Sequence, residues 1–531
     1  MADHTGHTTT DLHAFSGCCR NLWNALSGMD SSRKAPEASS AIRKLLLMVF
    51  ETFKEQERTE ALSILFDVWK EYSHLIVSNW SRMRPRDYEL VFELLSRNES
   101  FRWQKKPIRT IAMHLRNLYY GGSESAGVSF FNWLASLKDE EETPCFRLLL
   151  ITDEEPSEHD RSLEKSIMRC SLPEWGQSHI SDEGAEKMAS ILEEYQIDLF
   201  IQNIWFQHRH GVWDMLLVQS AARRPAFVQR IGGSCANILD TDELQEAYYK
   251  HPDALIALSH IAEIVWQAYN LRTYLIPNYP TVYQRNSEEY KRNPSVLWMN
   301  RLSGFKMPFE FIKVARLVHK KLPHIRFDVV GKADSVKEQR KLQKYVRKLK
   351  LQDSLTFHGI QNNPGYYYGK AGVMLLTSRA ESYSNVLYEA AAYALPVVMY
   401  ELPELDYNEQ FPGRESVTIL DAEGAAAKII RFFTDDEYYY RVRKAMAADY
   451  DRYLDNNIKQ IRSTWTKLIK DLEQDTVPDS FSAGPEDIKR LIRIIKNKQL
   501  YKQAASASGR AAGLKRRMRS FLSKHFFNKG F

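Results

Sequence analysis

Cysteine is scarce in this chain, and long apolar runs are missing. None of the five cysteines forms a C-x-x-C pair, so the sequence predicts reduced thiols and neither a disulfide framework nor a zinc site. The 531 residues contain no apolar run long enough to span a membrane, and the start, MADHTGHTTTDLHAF, lacks the basic and apolar regions of a secretory signal. The composition, 44% hydrophobic and 26% charged, is that of a globular protein with room for two domains. We therefore expect a cytoplasmic protein.

Acidic residues are missing from the end of the chain. Ile488 to Phe531 contains thirteen Lys or Arg and no Asp or Glu, so the net charge of +6 divides into +13 here and −7 elsewhere. Helical spacing places Leu514, Phe521 and Phe526 on one face, with cations around the other. This pattern predicts that the basic amphipathic tail, residues 476–531, lies on an anionic membrane surface at the inner face of the membrane. Nucleic acid, which the apolar face disfavours, and a solvated tail are the alternatives.

Two segments at the other end show contrasting patterns. Residues 1–40 are rich in Ser, Thr, Asp and His in place of periodic apolar residues, which predicts disorder. Residues 41–105 carry apolar residues at helical spacing, as in AIRKLLLMVFETF, which predicts a helical extension. These helices either pack on the domain that follows or bind a partner protein or a second copy of the chain. Packing is favoured because satellite helices usually complete a core.

A pair of glutamates eight positions apart stands out in the segment SRAESYSNVLYE. An apolar run, Gly372–Thr377, predicts a buried strand before it, and Asn385–Ala394 predicts a helix after it. The second glutamate, Glu389, falls in a nearly uncharged helix, where a buried carboxylate needs a polar partner. A helix N-terminus at the end of a parallel strand suits a phosphate or a sugar hydroxyl. The alternative is a glutamate on a surface loop and a helix glutamate paired with a neighbouring lysine.

Two cations follow an earlier predicted strand, Ser295–Met299. Arg301 and Lys306 lie five residues apart in the loop NRLSGFK, before Pro308 opens an amphipathic helix. A forked guanidinium and a mobile ammonium are complementary ways to hold two phosphates, so the loop predicts a diphosphate clamp. A solvated basic loop is the alternative.

These two segments, with the strand RFDVVGKAD and the turn LTFHGIQNNP between them, resemble in order and spacing the nucleotide-sugar half of retaining family 4 glycosyltransferases of the GT-B fold. The resemblance is strong over residues 293–470 and extends more weakly towards the start of the chain. It implies an α/β protein with two Rossmann-like domains facing across a cleft, at residues 106–285 and 286–475. The alternation of apolar strands and helices in the first half independently predicts a parallel sheet covered on both faces.

The resemblance also implies roles for individual residues. Arg301 and Lys306 would hold the donor diphosphate, while Glu381 would contact the hydroxyls of the donor sugar and Glu389 those of the ribose. The other donor contacts that it implies are the turn Ser382, Tyr383, Ser384, Asn385 and Val386, the nucleobase turn His358, Gly359 and Ile360, and the turn Gly121 and Gly122.

Several positions depart from the pattern of the resembled family. Its members commonly have glycine where this chain has Ser382, Ser384, Met307 and Ala394. Many also have a histidine near the reacting sugar, where this chain reads Arg230-Ile-Gly-Gly-Ser234. His208 and His210 are substitutes in principle, although an exposed loop histidine is the commoner case. The resemblance therefore assigns no catalytic side chain to the first domain.

The sequence thus predicts a retaining transferase that moves a sugar from a nucleotide diphosphate sugar to a glycan or lipid-linked acceptor, such as a surface polysaccharide precursor. No metal or other cofactor is expected, because the cations come from the protein. The alternative is a catalytically silent GT-B subunit that binds a partner glycosyltransferase or an acceptor protein. The missing histidine favours this subunit, and the four charged donor residues oppose it. A nucleotide-sugar epimerase on the same fold is disfavoured by the same four residues.

Overall fold

The architecture was analysed in a computed structural model. It describes isolated positions between 41 and 65 and the ranges 6–27, 103–118, 121–137, 146–176, 182–203, 210–221, 223–236, 249–280, 292–405, 414–478 and 483–505. Two parallel sheets, each with helices around it, make up most of these residues.

The first sheet has seven strands in the order β3-β2-β1-β4-β5-β6-β7. Its strands are β1 Thr110–Leu115, β2 Arg147–Thr152, β3 Met168–Ser171, β4 Leu199–Gln202, β5 Ala226–Arg230, β6 Ala254–Ala257 and β7 Thr273–Leu275. The helices that alternate with them are α2 Gly122–Ser136, α3 Asp182–Glu194, α4 His210–Ser220 and α5 His260–Gln267. The central strands are buried along their length, because helices cover both faces, and they therefore read as apolar runs.

The second sheet has six strands in the order β10-β9-β8-β11-β12-β13. Its strands are β8 Ser295–Met299, β9 Arg326–Val330, β10 Leu355–Gly359, β11 Val373–Leu376, β12 Val397–Tyr400 and β13 Arg414–Val417. Its helices are α6 Pro308–Lys321, α7 Val336–Lys348, α8 Pro364–Lys370, α9 Asn385–Ala392 and α10 Ala422–Thr434.

The strand order reverses at one place in each sheet, between β1 and β4 and between β8 and β11. At such a point the loops after the two neighbouring strands diverge to opposite faces and leave a crevice at the carboxyl edge, where ligands of this class of fold bind. In the second sheet those loops are the two segments that carry Arg301 with Lys306 and Glu381. The fold class predicted from the sequence, two Rossmann-like domains, is confirmed.

The last helices return to the first domain. Helix α11, Asp436–Gln474, carries Trp465 and Leu468 into the core around the first sheet, and Trp103 Nε1 donates to Leu472 O at 2.8 Å. Helix α12, Pro485–Ala505, buries Leu491 and Ile495 against the helix α5 side of that domain. The first part of the predicted basic tail is therefore packed. The predicted amphipathic segment Leu514–Phe526 lies outside the described residues.

The prediction of disorder over residues 1–40 is wrong for Gly6–Ser27, which form helix α1. Its Phe15 and Cys19 are buried in a core that also contains Trp175 of the first domain. The polar composition obscured apolar side chains at helical spacing, a pattern that composition alone does not register. Described positions of the predicted helical extension, including Val49 and Leu65, are buried in the same core, so the extension packs on the first domain there.

Candidate active site

The loops after β8 and β11 are fastened to each other. Trp298 Nε1, on β8, donates to Thr377 Oγ1 at 2.9 Å, and this buried hydroxyl donates in turn to Lys306 O at 2.7 Å. The backbone of Arg379 donates to Phe305 O at 3.0 Å. The sequence motifs around Lys306 and Glu381 therefore form one rigid wall of the crevice.

The two predicted clamp residues differ in their surroundings. Lys306 Nζ forms an ion pair with Glu381, whose side chain is 8% exposed. Arg301 lies on the rim, 67% exposed, with its Nε 3.4 Å from Asp334 Oδ1. A phosphate placed here would compete with Glu381 for the Lys306 ammonium, whereas Arg301 would only have to leave a weak surface pair.

Glu389 has the polar partner that its apolar helix requires. It lies on α9, half-buried, and accepts a hydrogen bond from Tyr368 OH of α8 at 2.5 Å. Tyr368 is buried, so the pair is held in place behind the N-terminus of α9. The phenol hydrogen bond therefore stabilises the Glu389 carboxylate and fixes its position on the helix.

The predicted donor turn precedes and opens helix α9. Ser382, Tyr383 and Ser384 are buried, and Asn385 and Val386 are half-buried. The Tyr383 ring stacks on Tyr388 at 4.5 Å and points into the core, and burial raises the pKa of its hydroxyl. Tyr383 can therefore serve a ligand through its backbone and not through its ring.

Two of the four departures from glycine have a structural signature. Met307 and Ala394 have φ values of 50° and 48°, in the left-handed region that glycine adopts without strain. A side chain there costs about 1–2 kcal/mol. Ser382 and Ser384 have no positive φ, so the backbone does not require glycine at either position.

The turn predicted to lie along the nucleobase is formed by the last two residues of β10 and Ile360. His358 Nε2 is 2.7 Å from Asp328 Oδ1 of β9, and its ring lies 5.0 Å from that of Tyr367. Gly359 has a φ of 71°, and Ile360 is 48% exposed. The turn thus presents an apolar side chain beside a fixed imidazole at the same edge of the sheet.

The first domain contributes the turn Gly121–Gly122, which begins α2. A Cβ at Gly121 would lie 1.9 Å from Glu124 Oε2, so the Glu124 carboxylate rests directly on this glycine. Burial raises the pKa of Glu124, against the opposing fields of Arg301 and Arg116. Glu124 was not predicted from the sequence, because a Gly-Gly turn alone does not point to it.

The two domains meet at the donor turn. Ser382 Oγ donates to Gly232 O at 2.7 Å, and Asn385 Nδ2 donates to Gly122 O at 3.0 Å. Asn278, after β7, donates to Asn385 Oδ1 at 2.6 Å. The structure therefore brings the predicted turns Gly121–Gly122 and Ser382–Val386 together.

Gly232 and Ser234 belong to the segment that replaces the histidine of the resembled family. Ser234 Oγ donates to Glu404 of the second domain, and the next backbone amide, of Cys235, donates to Glu404 Oε1 at 2.7 Å. Glu404 is buried and was not identified from the sequence. His208 and the side chain of His210, the suggested substitutes, lie outside the described residues.

A buried cation lies below the crevice at the end of β1. His114 Nδ1 is 2.7 Å from Asp214 Oδ2, and its Nε2 is 2.9 Å from Asp153 Oδ1. Burial favours the neutral ring, but the two carboxylates outweigh it and raise the pKa of His114 to about 10. At neutral pH the imidazolium is therefore charged and donates a hydrogen bond to each of two carboxylates within the first domain.

Among the described residues, no three His, Cys, Asp or Glu side chains are arranged to hold a metal ion. The expectation that none is needed stays a prediction.

Comparison with known proteins finds a glycosyltransferase family over part of the chain and relatives that are glycosyltransferases. Residues 281–448 match the family described as Glycosyl transferases group 1. An uncharacterized glycosyltransferase of Haemophilus influenzae is 26% identical over 28% of this chain and 42% of its own length. The poly(glycerol-phosphate) alpha-glucosyltransferase of Bacillus subtilis is 29% identical over 23% of this chain and 17% of its own. The chain thus spans less than half the length of these relatives.

Among solved structures, Anabaena HepE in complex with UDP-glucose superposes with a TM-score of 0.54 at 16% identity, covering 67% of this chain and 99% of that one. At this identity the likeness concerns the fold, which is GT-B. The comparisons thus give a glycosyltransferase family match over residues 281–448 and the GT-B fold for the chain.

Proposed function

We propose that this chain transfers a sugar from a nucleotide diphosphate sugar to an acceptor, with retention of the anomeric configuration. One observation carries the proposal. Lys306 pairs with Glu381 in the loop that leads into α9, at the point where the strand order reverses. Asn385, the first residue of α9, donates to Gly122 O and so holds the Gly121–Gly122 turn against this helix. This arrangement suits a phosphate group with a sugar beside it.

Each charged residue has a distinct task in the proposal. Lys306, Arg301 and the free amides of α9 stabilise the charge that develops on the leaving diphosphate. Glu389 holds the ribose, and Glu381 holds the sugar once phosphate takes over Lys306. No strong base is required, because the departing phosphate accepts the proton of the incoming hydroxyl on the same face of the sugar.

The donor and acceptor classes rest on the relatives. HepE is described with UDP-glucose, which favours a uridine nucleotide as donor here. The name of the B. subtilis relative specifies an alpha-glucosyl product on a phosphate polymer. We propose a glycan or lipid-linked precursor of a surface polysaccharide as acceptor.

The location follows from the tail and from the described helices. No described helix is long and apolar enough to cross a membrane. We propose that the protein works in the cytoplasm, held at the inner face of the membrane by the cations of residues 506–531. The prediction for this segment concerns residues beyond those described.

A silent GT-B subunit is the second candidate, and one observation favours it. Gly232, in the segment that replaces the histidine, carries no side chain and is bound through its carbonyl by Ser382. A subunit of this kind would bind a nucleotide sugar without cleaving it, or would not bind one at all.

A panel of nucleotide sugars tests the proposal. A ligand present at 100 times its dissociation constant stabilises the folded state by about 2.7 kcal/mol, so a true donor raises the melting temperature. Each stabilising donor is then followed for hydrolysis or transfer with wild type, Glu381→Gln and the control Glu423→Gln, an exposed glutamate on α10. Stabilisation with turnover lost only in Glu381→Gln supports the transferase, and stabilisation without any turnover supports the silent subunit.

A further inference from the structure

Arg230, the last residue of β5, is a buried cation with no counter-ion among the described residues. Its side chain is 3% exposed, and its guanidinium donates to Asn203 Oδ1 at 2.9 Å and to Asn278 Oδ1. Burial lowers the pKa of Arg230 to about 10, so the side chain is still charged at neutral pH. A charge removed from water without a counter-ion is costly, and among the described residues two amide oxygens hydrogen-bond to this one.

The charge fixes the orientation of both asparagines. A guanidinium only donates, so each amide must turn its oxygen towards Arg230 and its NH₂ group away from it. Asn203 Nδ2 then donates to Ser123 O at 3.0 Å, and Asn278 Nδ2 donates to Asn385 Oδ1 at 2.6 Å. The reversed amides would present NH₂ groups to a cation and break both contacts.

These bonds continue into a closed ring. Asn385, oriented by Asn278, donates from its own Nδ2 to Gly122 O at 3.0 Å. The turn Gly122–Ser123 is thus held at one carbonyl by Asn203 and at the next by Asn385. We call this set, Arg230, Asn203, Asn278, Asn385 and the turn Gly122–Ser123, the asparagine ring.

The asparagine ring joins the two domains at the proposed donor site. Asn385 is the first residue of α9 in the second domain, and all other members belong to the first. On one side of the cleft the ring therefore includes the N-terminus of α9, where the phosphate is proposed to bind, and on the opposite side it includes the glycine turn. The bonds at Arg230 are buried, those from Asn203 and Asn278 to the turns are partly buried, and the Asn385–Gly122 bond is exposed. Because linked hydrogen bonds restrain one another, we expect a change at Arg230 to loosen both turns.

We propose that Arg230 is a positioning residue for sugar transfer, which through Asn278 and Asn385 holds the donor turn against the Gly122 turn. The proposal rests on the proposed function, because it assigns the ring a task in that reaction. Arg230 touches neither donor nor acceptor. It orders the closed cleft in which they meet, and its uncompensated charge lies behind the place where the diphosphate becomes more negative.

Kinetics test the proposal directly. Arg230→Gln removes the charge and part of the fork, and we expect kcat to fall about 10²-fold, as for other losses of reactive geometry, with the KM for donor changed less than about threefold. Arg230→Lys keeps the charge and should recover most of the loss. Arg340→Gln, an exposed arginine on α7, is the matched control and should behave as wild type.

A double variant separates positioning from a general structural effect. If Arg230 acts through the ring, Arg230→Gln combined with Asn385→Ala should be no slower than the slower single variant, because each breaks the same connection. Multiplied losses would overturn the proposal, as would an Arg230→Gln variant with the kcat of the control.

Hydrogen exchange tests the ring without any activity, so that its failure can be told from failure of the proposed function. The backbone amides of residues 121–125 and 382–388 should both exchange faster in Asn385→Ala than in wild type. This variant keeps the buried Arg230, so it avoids the risk that Arg230→Gln fails to fold. Arg230→Gln, where it folds, should accelerate the same two segments. Wild-type exchange in both segments of Asn385→Ala would overturn the ring even if sugar transfer is established. If the protein shows no sugar transfer but both segments exchange faster in Asn385→Ala, the asparagine ring is supported and the proposed function is not.

Discussion

The second domain builds its wall of the cleft from two continuous loops, whereas the first domain builds its wall from single residues at the ends of four strands. Lys306 and Glu381 each lie within a short motif that follows one strand. On the opposite wall, Gly122, Asn203, Arg230 and Asn278 follow or end β1, β4, β5 and β7. In the proposed site, the second-domain wall therefore offers charge to the ligand, while the first-domain wall mainly fixes geometry.

The largest expected effect is on the motif side. Lys306→Ala removes a positive charge that balances the leaving diphosphate, so kcat/KM should fall about 10²- to 10³-fold. Lys320→Ala, an exposed lysine on α6, is the control. Steady-state rates with the best donor check this, and a loss below about fivefold would mean that the second wall does not supply the charge.

The free energy of unfolding of the first domain should depend on pH through His114. The pKa of His114 is about 6.5 in the unfolded chain and about 10 in the fold, so the stabilisation is complete below pH 6.5 and is lost as pH rises towards 10. We expect the free energy of unfolding of wild type to fall over this interval by an amount on the order of a few kcal/mol. Denaturant titrations between pH 6.5 and 10 measure it.

The variant His114→Gln should show a flatter pH dependence than wild type and lower stability at neutral pH, because Asp153 and Asp214 lose their cation. His324→Gln, an exposed histidine of the second domain, should keep the wild-type slope. If the free energy of unfolding varies with pH equally in wild type and His114→Gln, the buried imidazolium does not stabilise the first domain.

Glycines sharpen the comparison at a smaller scale. Gly121→Ala adds a methyl carbon only 1.9 Å from Glu124 Oε2, so the Glu124 side chain must move. Crowding of this kind costs about 1–3 kcal/mol, and we expect about a tenfold loss of kcat with the fold intact. Gly17→Ala in α1, where no atom lies within 4 Å, should leave activity unchanged. Equal rates for the two variants would remove Glu124 and its turn from the site.

The smallest effect concerns the second domain. Ala390→Gly, inside α9, should lower stability by about 1 kcal/mol. Ala394→Gly should cost less, because alanine is strained at the left-handed φ of 48° and glycine is not. Relief of this strain offsets the greater entropy that glycine gives the unfolded chain. Thermal unfolding of the pair measures the difference, and an equal loss in both variants would argue against strain at Ala394.

The sequence predicted the sheets because their central strands are continuous apolar runs, and it predicted the second wall because its contacts fall within motifs. The edge strands β3 and β13 were not predicted, since Met168–Ser171 and Arg414–Val417 are mostly half-buried and show no clear period. Helix α1 was missed for its polar composition.

Arg230, Asn203 and Asn278 could not be predicted as a unit. Each is an ordinary polar residue near a strand end, and their connection depends on the order of strands in the sheet and on the approach of Asn385 from the other domain. Only the replacement of a histidine by Arg230-Ile-Gly-Gly-Ser234 marked that the first wall differs from the resembled pattern.

The central claim is that the wall formed by Lys306, Glu381 and Glu389 binds a nucleotide diphosphate without a metal. Calorimetric titration with uridine diphosphate in excess chelator tests it most directly. The account predicts that wild type binds, that Lys306→Ala and Glu389→Gln each bind at least about tenfold more weakly, and that Glu381→Gln binds as well or better because Lys306 is released. Equal affinity in all four proteins, or binding only when a divalent cation is restored, would contradict it.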